Sequence, residues 1–113
     1  MKADALRLTL LFDCYGRMLT EKQQTCFDLY YNQDLSLAEI AEEAGISRQG
    51  VHDTLVRTEA ALLDMEARLG VADRTRRTQA AVRLLLTAAE ELQAAGQTGS
   101  ADRVRSALNL LKE

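Results

Sequence analysis

The run Ser47-Arg48-Gln49-Gly50-Val51-His52-Asp53 holds the side chains of this 113-residue chain whose types and spacing best fit a defined chemistry. An arginine offers paired donors to guanine O6 and N7, and a glutamine pairs with adenine N6 and N7, so Arg48 and Gln49 suit base edges in a major groove. Ser47, His52 and Asp53 share the same two turns, Arg57 follows one turn later, and Lys22 adds a cation from an earlier segment. Glu39, Glu42, Glu43 and Asp53 oppose a phosphate backbone. Other chemistries find no support here. His52 is the only histidine and has no neighbouring ligand or nucleophile. Cys14 and Cys26 form no CxxC pair, glycines build no phosphate loop, and no serine or cysteine stands beside a base, so no catalytic residue, cofactor or metal site is expected.

The elements that must hold these residues form a helix-turn-helix over Leu35 to Leu55. Such a motif needs a small residue where two helices press together, a glycine able to turn the chain at positive φ, and apolar residues that lock the pair. Ala41, Gly45 and Val51 meet those needs, with Ile40, Ala44 and Ile46 as internal apolar positions. Ser36 with Glu39 predicts a capping box at the first helix, and Ser47 caps the second. The N-terminal turns of that second helix are the part that enters a groove in such motifs.

Around the motif the pattern is helical throughout. Leu6, Leu10, Leu11, Cys14 and Met18 recur at helical steps, predicting a first helix over about residues 3 to 18. Thr20 and Gln23 predict a capping box that opens a second helix to about Tyr31, and Phe12, Tyr15, Phe27, Tyr30 and Tyr31 read as a seam shared by these two helices. From Ser47 the fourth helix can run to Leu69, roughly 34 Å at ~1.5 Å per residue, with Gly70 as its stop. Asp73 or Thr75 is expected to cap a fifth helix ending near Ala95, Gly96 to Gly99 to form a loop, and Ser100 to cap a last helix. Val51, Leu55, Thr58, Leu62, Met65 and Leu69 make a narrow seam that outruns the motif and requires cover. Ala81, Leu85, Ala88, Leu92 and Ala95 make a matching seam on the fifth helix, widened by Val82, Leu86 and Ala89; the width favours a homodimer through the tail helices over an intramolecular hairpin.

Composition agrees with this reading. The 17 Ala and 19 Leu make about a third of the chain and proline is absent, which favours helices and excludes a β-sandwich or barrel. The expected fold is therefore an all-α small bundle containing the helix-turn-helix (residues 1–70), with a helical appendage (71–113) that packs on it or on a dimer partner. Net charge is −3, and Arg74, Arg76, Arg77 and Arg83 form the only basic cluster, a candidate phosphate site in an otherwise acidic chain. The two cysteines read as buried free thiols of a reducing compartment. The N-terminal MKADALRLTLLFDCYG interrupts its apolar residues with Asp4 and Arg7 and reads as no signal peptide, and no stretch is long enough for a membrane span.

The segments FDCYGRMLTEKQ and DLYYNQDLSLAEIAEEAGISRQGVHDTLVRTEAAL resemble the YlxM-like DNA-binding proteins, small bacterial cytosolic proteins whose helix-turn-helix is similar to region 4 of sigma factors, in the broad winged-helix-like class. The likeness covers roughly the first two-thirds of the chain; from about Gly70 onward no distinctive match is expected. Gly50 and His52 stand where the family pattern has Ala and Tyr. The resemblance implies a cytoplasmic, non-enzymatic nucleic-acid-binding accessory factor of the signal recognition particle pathway, with DNA or the particle's RNA as partner and its GTPase as a further one. A sigma-like regulator reading promoter DNA, and a protein-interaction module without nucleic-acid binding, stay open beside it.

Overall fold

The computed structural model describes residues 4–111, all-helical apart from short connections, in two compact units, 1–72 and 73–113. In the first unit α1 (Ala5–Tyr15) runs into a 3-10 turn (Gly16–Met18), α2 (Glu21–Phe27) widens into a π-turn (Asp28–Asn32), and α3 (Leu37–Ala44) leads into α4 (Arg48–Leu69). The expected start of α1 near residue 3 lies outside the described residues.

Local chemistry fixes most boundaries. Thr20 with Gln23 and Ser36 with Glu39 form both reciprocal capping boxes, and Ser47 Oγ accepts from the Gly50 amide at 2.9 Å. Gly45 closes α3 at φ 70°, a left-handed conformation that costs a side-chain-bearing residue about 1–2 kcal/mol, and Gly70 ends α4 at φ 62°. The π-turn is a feature that periodicity does not announce. There the Asp28 carboxylate accepts from the side chains of Asn32 and Gln33, both at 2.9 Å, and the Gln33 amide reaches back to the Asp28 carbonyl.

Two apolar clusters hold the unit. One joins α1 to α2 and the second half of α4 through Leu8, Leu11, Tyr15, Leu19, Phe27 and Leu62. The other joins α2 and α3 to the first half of α4 through Cys26, Leu29, Ile40, Val51 and Leu55. The aromatic seam is present: Phe12 stacks on Phe27 at 4.3 Å, Phe27 on Tyr31 at 4.5 Å, and Tyr30 meets Tyr31 edge-on at 5.1 Å. On the α4 seam Thr58 is fully buried, its hydroxyl satisfied by the Thr54 carbonyl at 2.7 Å.

The face of α1 differs from expectation. Leu6, Leu10, Cys14 and Met18 are exposed, and of the expected set only Leu11 is buried. The buried face is Leu8, Leu11, Tyr15 and then Leu19, because these residues, rotated from the Leu6 stripe, meet Phe27 and Leu62. Cys14 is accordingly an exposed thiol, while Cys26 is buried and burial raises its pKa. Ala44 is also exposed rather than internal. The α4 seam is covered by α2 and α3 at Val51 and Leu55, and by this face of α1 with Phe27 at Leu62 and Met65, so no further partner is required there; Leu69 remains exposed.

The junction at Gly70 holds a second difference. α5 (Val71–Ala94) starts directly after Gly70, two residues before the expected Asp73 cap. Its first amides are satisfied from elsewhere: Val71 N donates to the Tyr15 hydroxyl at 3.0 Å and Ala72 N to Glu66 Oε1 at 3.1 Å. The same hydroxyl donates to Glu66 Oε1 at 2.5 Å. Burial first, then the bond to the Glu66 carboxylate, push the Tyr15 phenol above its ordinary pKa against the pull of the two amides.

The second unit consists of the rest of α5 and α6 (Thr98–Leu111). Gly96 turns the chain at φ 79°, and the Gln97 amide reaches back to the Leu92 carbonyl at 2.8 Å, a closure that starts α6 at Thr98 rather than after Ser100. Ala89, Ala101 and Leu108 are buried and Leu85, Ala88, Leu92 and Val104 half-buried, whereas Ala81, Leu84, Leu86, Ala95 and Leu110 are exposed. Gln93 and Arg105 bridge the two helices at 3.1 Å.

Candidate nucleic-acid interface

The site is built on the first two turns of α4. Ile40 of α3 and Val51 and Leu55 of α4 are fully buried in one cluster, which fixes the axis of α4 and leaves its opposite face to solvent. Arg48, Gln49, Asp53 and Arg57 are exposed, His52 and Gly50 partly so. Residues four apart share a helical face, so Gln49, Asp53 and Arg57 form one row, with Arg48 and His52 a second row beside it.

Hydrogen bonds tie this face together. Gln49 Nε2 donates to Asp53 Oδ1 at 2.9 Å, and His52 Nδ1 lies 3.4 Å from the same oxygen. The Gln49 bond first, then that of His52, hold the Asp53 carboxyl below its ordinary pKa. Asp53, which the sequence marks both as a candidate contact and as a charge opposing phosphate, is thus the hub of the exposed face; its i, i+4 spacing from Gln49 was the available signal.

The other expected site residues are placed as follows. Ser47 spends its hydroxyl on the Gly50 amide and caps the helix. Lys22 is exposed in the first turn of α2, with its charge felt at Cys26. Neither Lys22 nor Arg48 nor Arg57 makes a salt bridge among the described residues. In the second unit Arg74, Arg76, Arg77 and Arg83 are all exposed on α5, which divides them by its turn: Arg74 and Arg77 share one face, Arg76 and Arg83 another. Arg76 is bridged to Asp73 at 2.6 Å. Gly50 leaves room beside the cap, where an added Cβ would meet Ser47 Oγ at 3.1 Å.

Two capped helices joined at a left-handed glycine, locked by a shared apolar cluster and exposing a polar first face on the second, define a helix-turn-helix protein. Within that class the chain belongs to the UPF0122 family, described as "Putative helix-turn-helix protein, YlxM / p13 like", whose model matches residues 2–99. It is similar to a UPF0122 protein of Symbiobacterium thermophilum, 47% identical over 110 residues, or 96% of this chain and 95% of that one. A UPF0122 protein of Thermoanaerobacter is 51% identical over 74 residues, 66% of this chain and 63% of its own length. A further one, from Clostridium novyi, is 37% identical over 90 residues, 80% of this chain and 78% of the other. The family likeness therefore does not end near Gly70, as the motifs alone implied, but runs through α5 into the start of α6. The tail carries an apolar pattern rather than a short motif, so the likeness there is spread over its length.

Proposed function

We propose that this chain is a non-enzymatic, nucleic-acid-binding regulator that docks the first turns of α4 in a major groove. The observation that carries the reading is the exposed face of Arg48, Gln49, His52 and Arg57 over a core that immobilises α4. Arg48 and Gln49 take the base edges. Lys22, Arg57 and the α5 arginines Arg74, Arg76, Arg77 and Arg83 take phosphates. The helix-turn-helix is of the sigma region 4 type, with residues 1–70 as its domain and 71–113 as an appendage that pairs the chain into a homodimer. Leu84, Leu86 and Leu110, exposed on α5 and α6, support that pairing. Among the described residues no helix is long and apolar enough to cross a membrane, and the reading places the protein in the cytoplasm.

The pathway implied by the family likeness is that of the signal recognition particle, with the particle's RNA as an alternative nucleic-acid partner and its GTPase as a protein partner. A transcriptional role at promoter DNA uses the same α4 contacts. The charge of the first unit favours one further reading: residues 1–72 carry 12 Asp and Glu against 7 Lys and Arg, a surplus that suits a protein-interaction module. One binding series separates these, with the full chain titrated against duplex DNA, the particle's RNA and the GTPase at several salt concentrations. A binding constant that falls steeply with salt on a nucleic acid supports the proposal, and affinity for the GTPase alone overturns it in favour of the interaction module.

A further inference from the structure

We propose that Asp53 selects a cytosine in the bound duplex by accepting a hydrogen bond from its exocyclic N4 amine. The inference deepens the proposed function and rests on it. It starts from the arrangement at the centre of the exposed α4 face. Gln49 Nε2 holds Asp53 Oδ1 at 2.9 Å, and the His52 ring nitrogen lies 3.4 Å from that same oxygen. The second oxygen, Oδ2, has no bond among those described for this face, and the Asp53 side chain is half-exposed, so the carboxylate has one committed and one uncommitted acceptor. Holding the rotamer in advance reduces the order that binding must impose.

The chemistry of the major-groove edge then decides which base fits. Guanine shows two acceptors there, and thymine an acceptor beside a methyl group. Both repel a carboxylate. Adenine has an amine, but its N7 acceptor lies directly beside it. Cytosine presents its donor with an acceptor on one side only, O6 of the paired guanine, whereas the adenine amine is flanked on both sides, by its own N7 and by O4 of the paired thymine. A carboxylate at this position therefore favours cytosine and disfavours the other three bases. The Gln49 bond, ahead of the His52 one, keeps the Asp53 carboxyl below its ordinary pKa, so it stays an acceptor-only carboxylate. Arg48, in the adjoining row, supplies the guanine-reading donors, so the pair of side chains favours a site rich in G·C pairs at this register. The acidic residue in the recognition surface, unfavourable for phosphate, is on this account a specificity element.

The test uses the full-length chain. A randomised duplex library is selected for binding, and the enriched site is then measured by fluorescence anisotropy with the cytosine replaced by 2-pyrimidinone, which lacks the N4 amine. The expected result is one position with strong cytosine preference and about a tenfold loss of affinity on removing the amine. Asp53→Asn keeps an acceptor for Gln49 and adds a donor; it is expected to shift the preferred base from cytosine to adenine, since an amide side chain pairs with N6 and N7. Because the analogue experiment needs no mutation, a folding defect in the variant does not obscure the answer. Duplex selection without cytosine preference, or a wild-type chain indifferent to the amine, overturns the role of Asp53 while leaving nucleic-acid binding intact. Failure to enrich any duplex overturns this inference, and together with failure to bind the RNA in the salt series it overturns the proposed function itself.

Discussion

Glu59 and Gly50 are two residues of α4 whose surroundings make opposite demands. Glu59 is partly buried, the Tyr31 hydroxyl bonds to its carboxylate, and among the described residues no group donates to its Oε2. Burial, opposed by the Tyr31 bond, holds the carboxyl above its ordinary 4.5. A raised folded pKa means that protonation favours the folded chain: this contribution is fully present below pH 4.5 and is lost as pH rises through the folded value. Glu59→Gln removes the charge and keeps an acceptor for Tyr31, so it is expected to be more stable than the parent at neutral pH and to lose that advantage on acidification. Thermal melts of both proteins between pH 7 and pH 4 check this, and parallel profiles would refute it. Gly50 lies inside α4, where Ala is better by about 1 kcal/mol. An added Cβ meets Ser47 Oγ at 3.1 Å, a contact the cap must yield to by a few tenths of an ångström. Gly50→Ala is therefore expected to stabilise the chain by less than the full propensity gain, roughly 0.5 kcal/mol, by urea titration. A destabilised variant would mean that the Ser47 cap cannot give way.

At the scale of elements, the α4–α5 junction shows what a linear reading captures and what it misses. The caps at Thr20, Ser36 and Ser47 and the turn at Gly45 were legible because each is completed within four residues. The start of α5 was not, because its first amides are held by Tyr15, 56 residues upstream of Val71, and by Glu66, whose cap crosses a glycine. The buried face of α1 was misread for a related reason. Two leucine stripes, Leu6–Leu10 and Leu8–Leu11, have equal helical periodicity, and only the position of Phe27 and Leu62 distinguishes them. The motif residues of the site were legible; the bond that turns Asp53 from a liability into the hub of the face was visible only as a spacing. Tyr15→Phe tests the junction directly. It removes the acceptor for Val71 N and the donor to Glu66 while keeping the ring in its cluster. The expected outcome is faster amide hydrogen exchange at Val71 and Ala72, with protection at Ile40, Val51 and Leu55 unchanged. Unchanged exchange at the junction would show that Glu66 alone suffices to start α5.

Across the whole molecule the charge is divided: the first unit is acidic and the arginines of α5 belong to the second. A duplex whose phosphates are met by Lys22 and Arg57 alone releases few counterions, so log K falls with log salt at a slope of about −2. With these phosphate contacts, a steeper slope draws on α5, whatever the arrangement of the units. The turn of α5 sets how much it can add. Arg74 and Arg77 share a face, whereas Arg76, on the face of Arg83, is already bridged to Asp73 at 2.6 Å. A polyanion lying along one side of the helix therefore gains about two contacts, chiefly from Arg74 and Arg77, and the intact chain is expected to reach a slope of roughly −3 to −4. Replacing Arg74 and Arg77 together by Ala should lower the magnitude of that slope by about 2, and replacing Arg76 and Arg83 should change it by less than 1. Equal losses from the two double variants would mean that the arginines act as an undivided field and that the face presented by α5 is irrelevant. An unchanged slope in both would confine nucleic-acid contact to the helix-turn-helix and leave the tail free for pairing with a second copy.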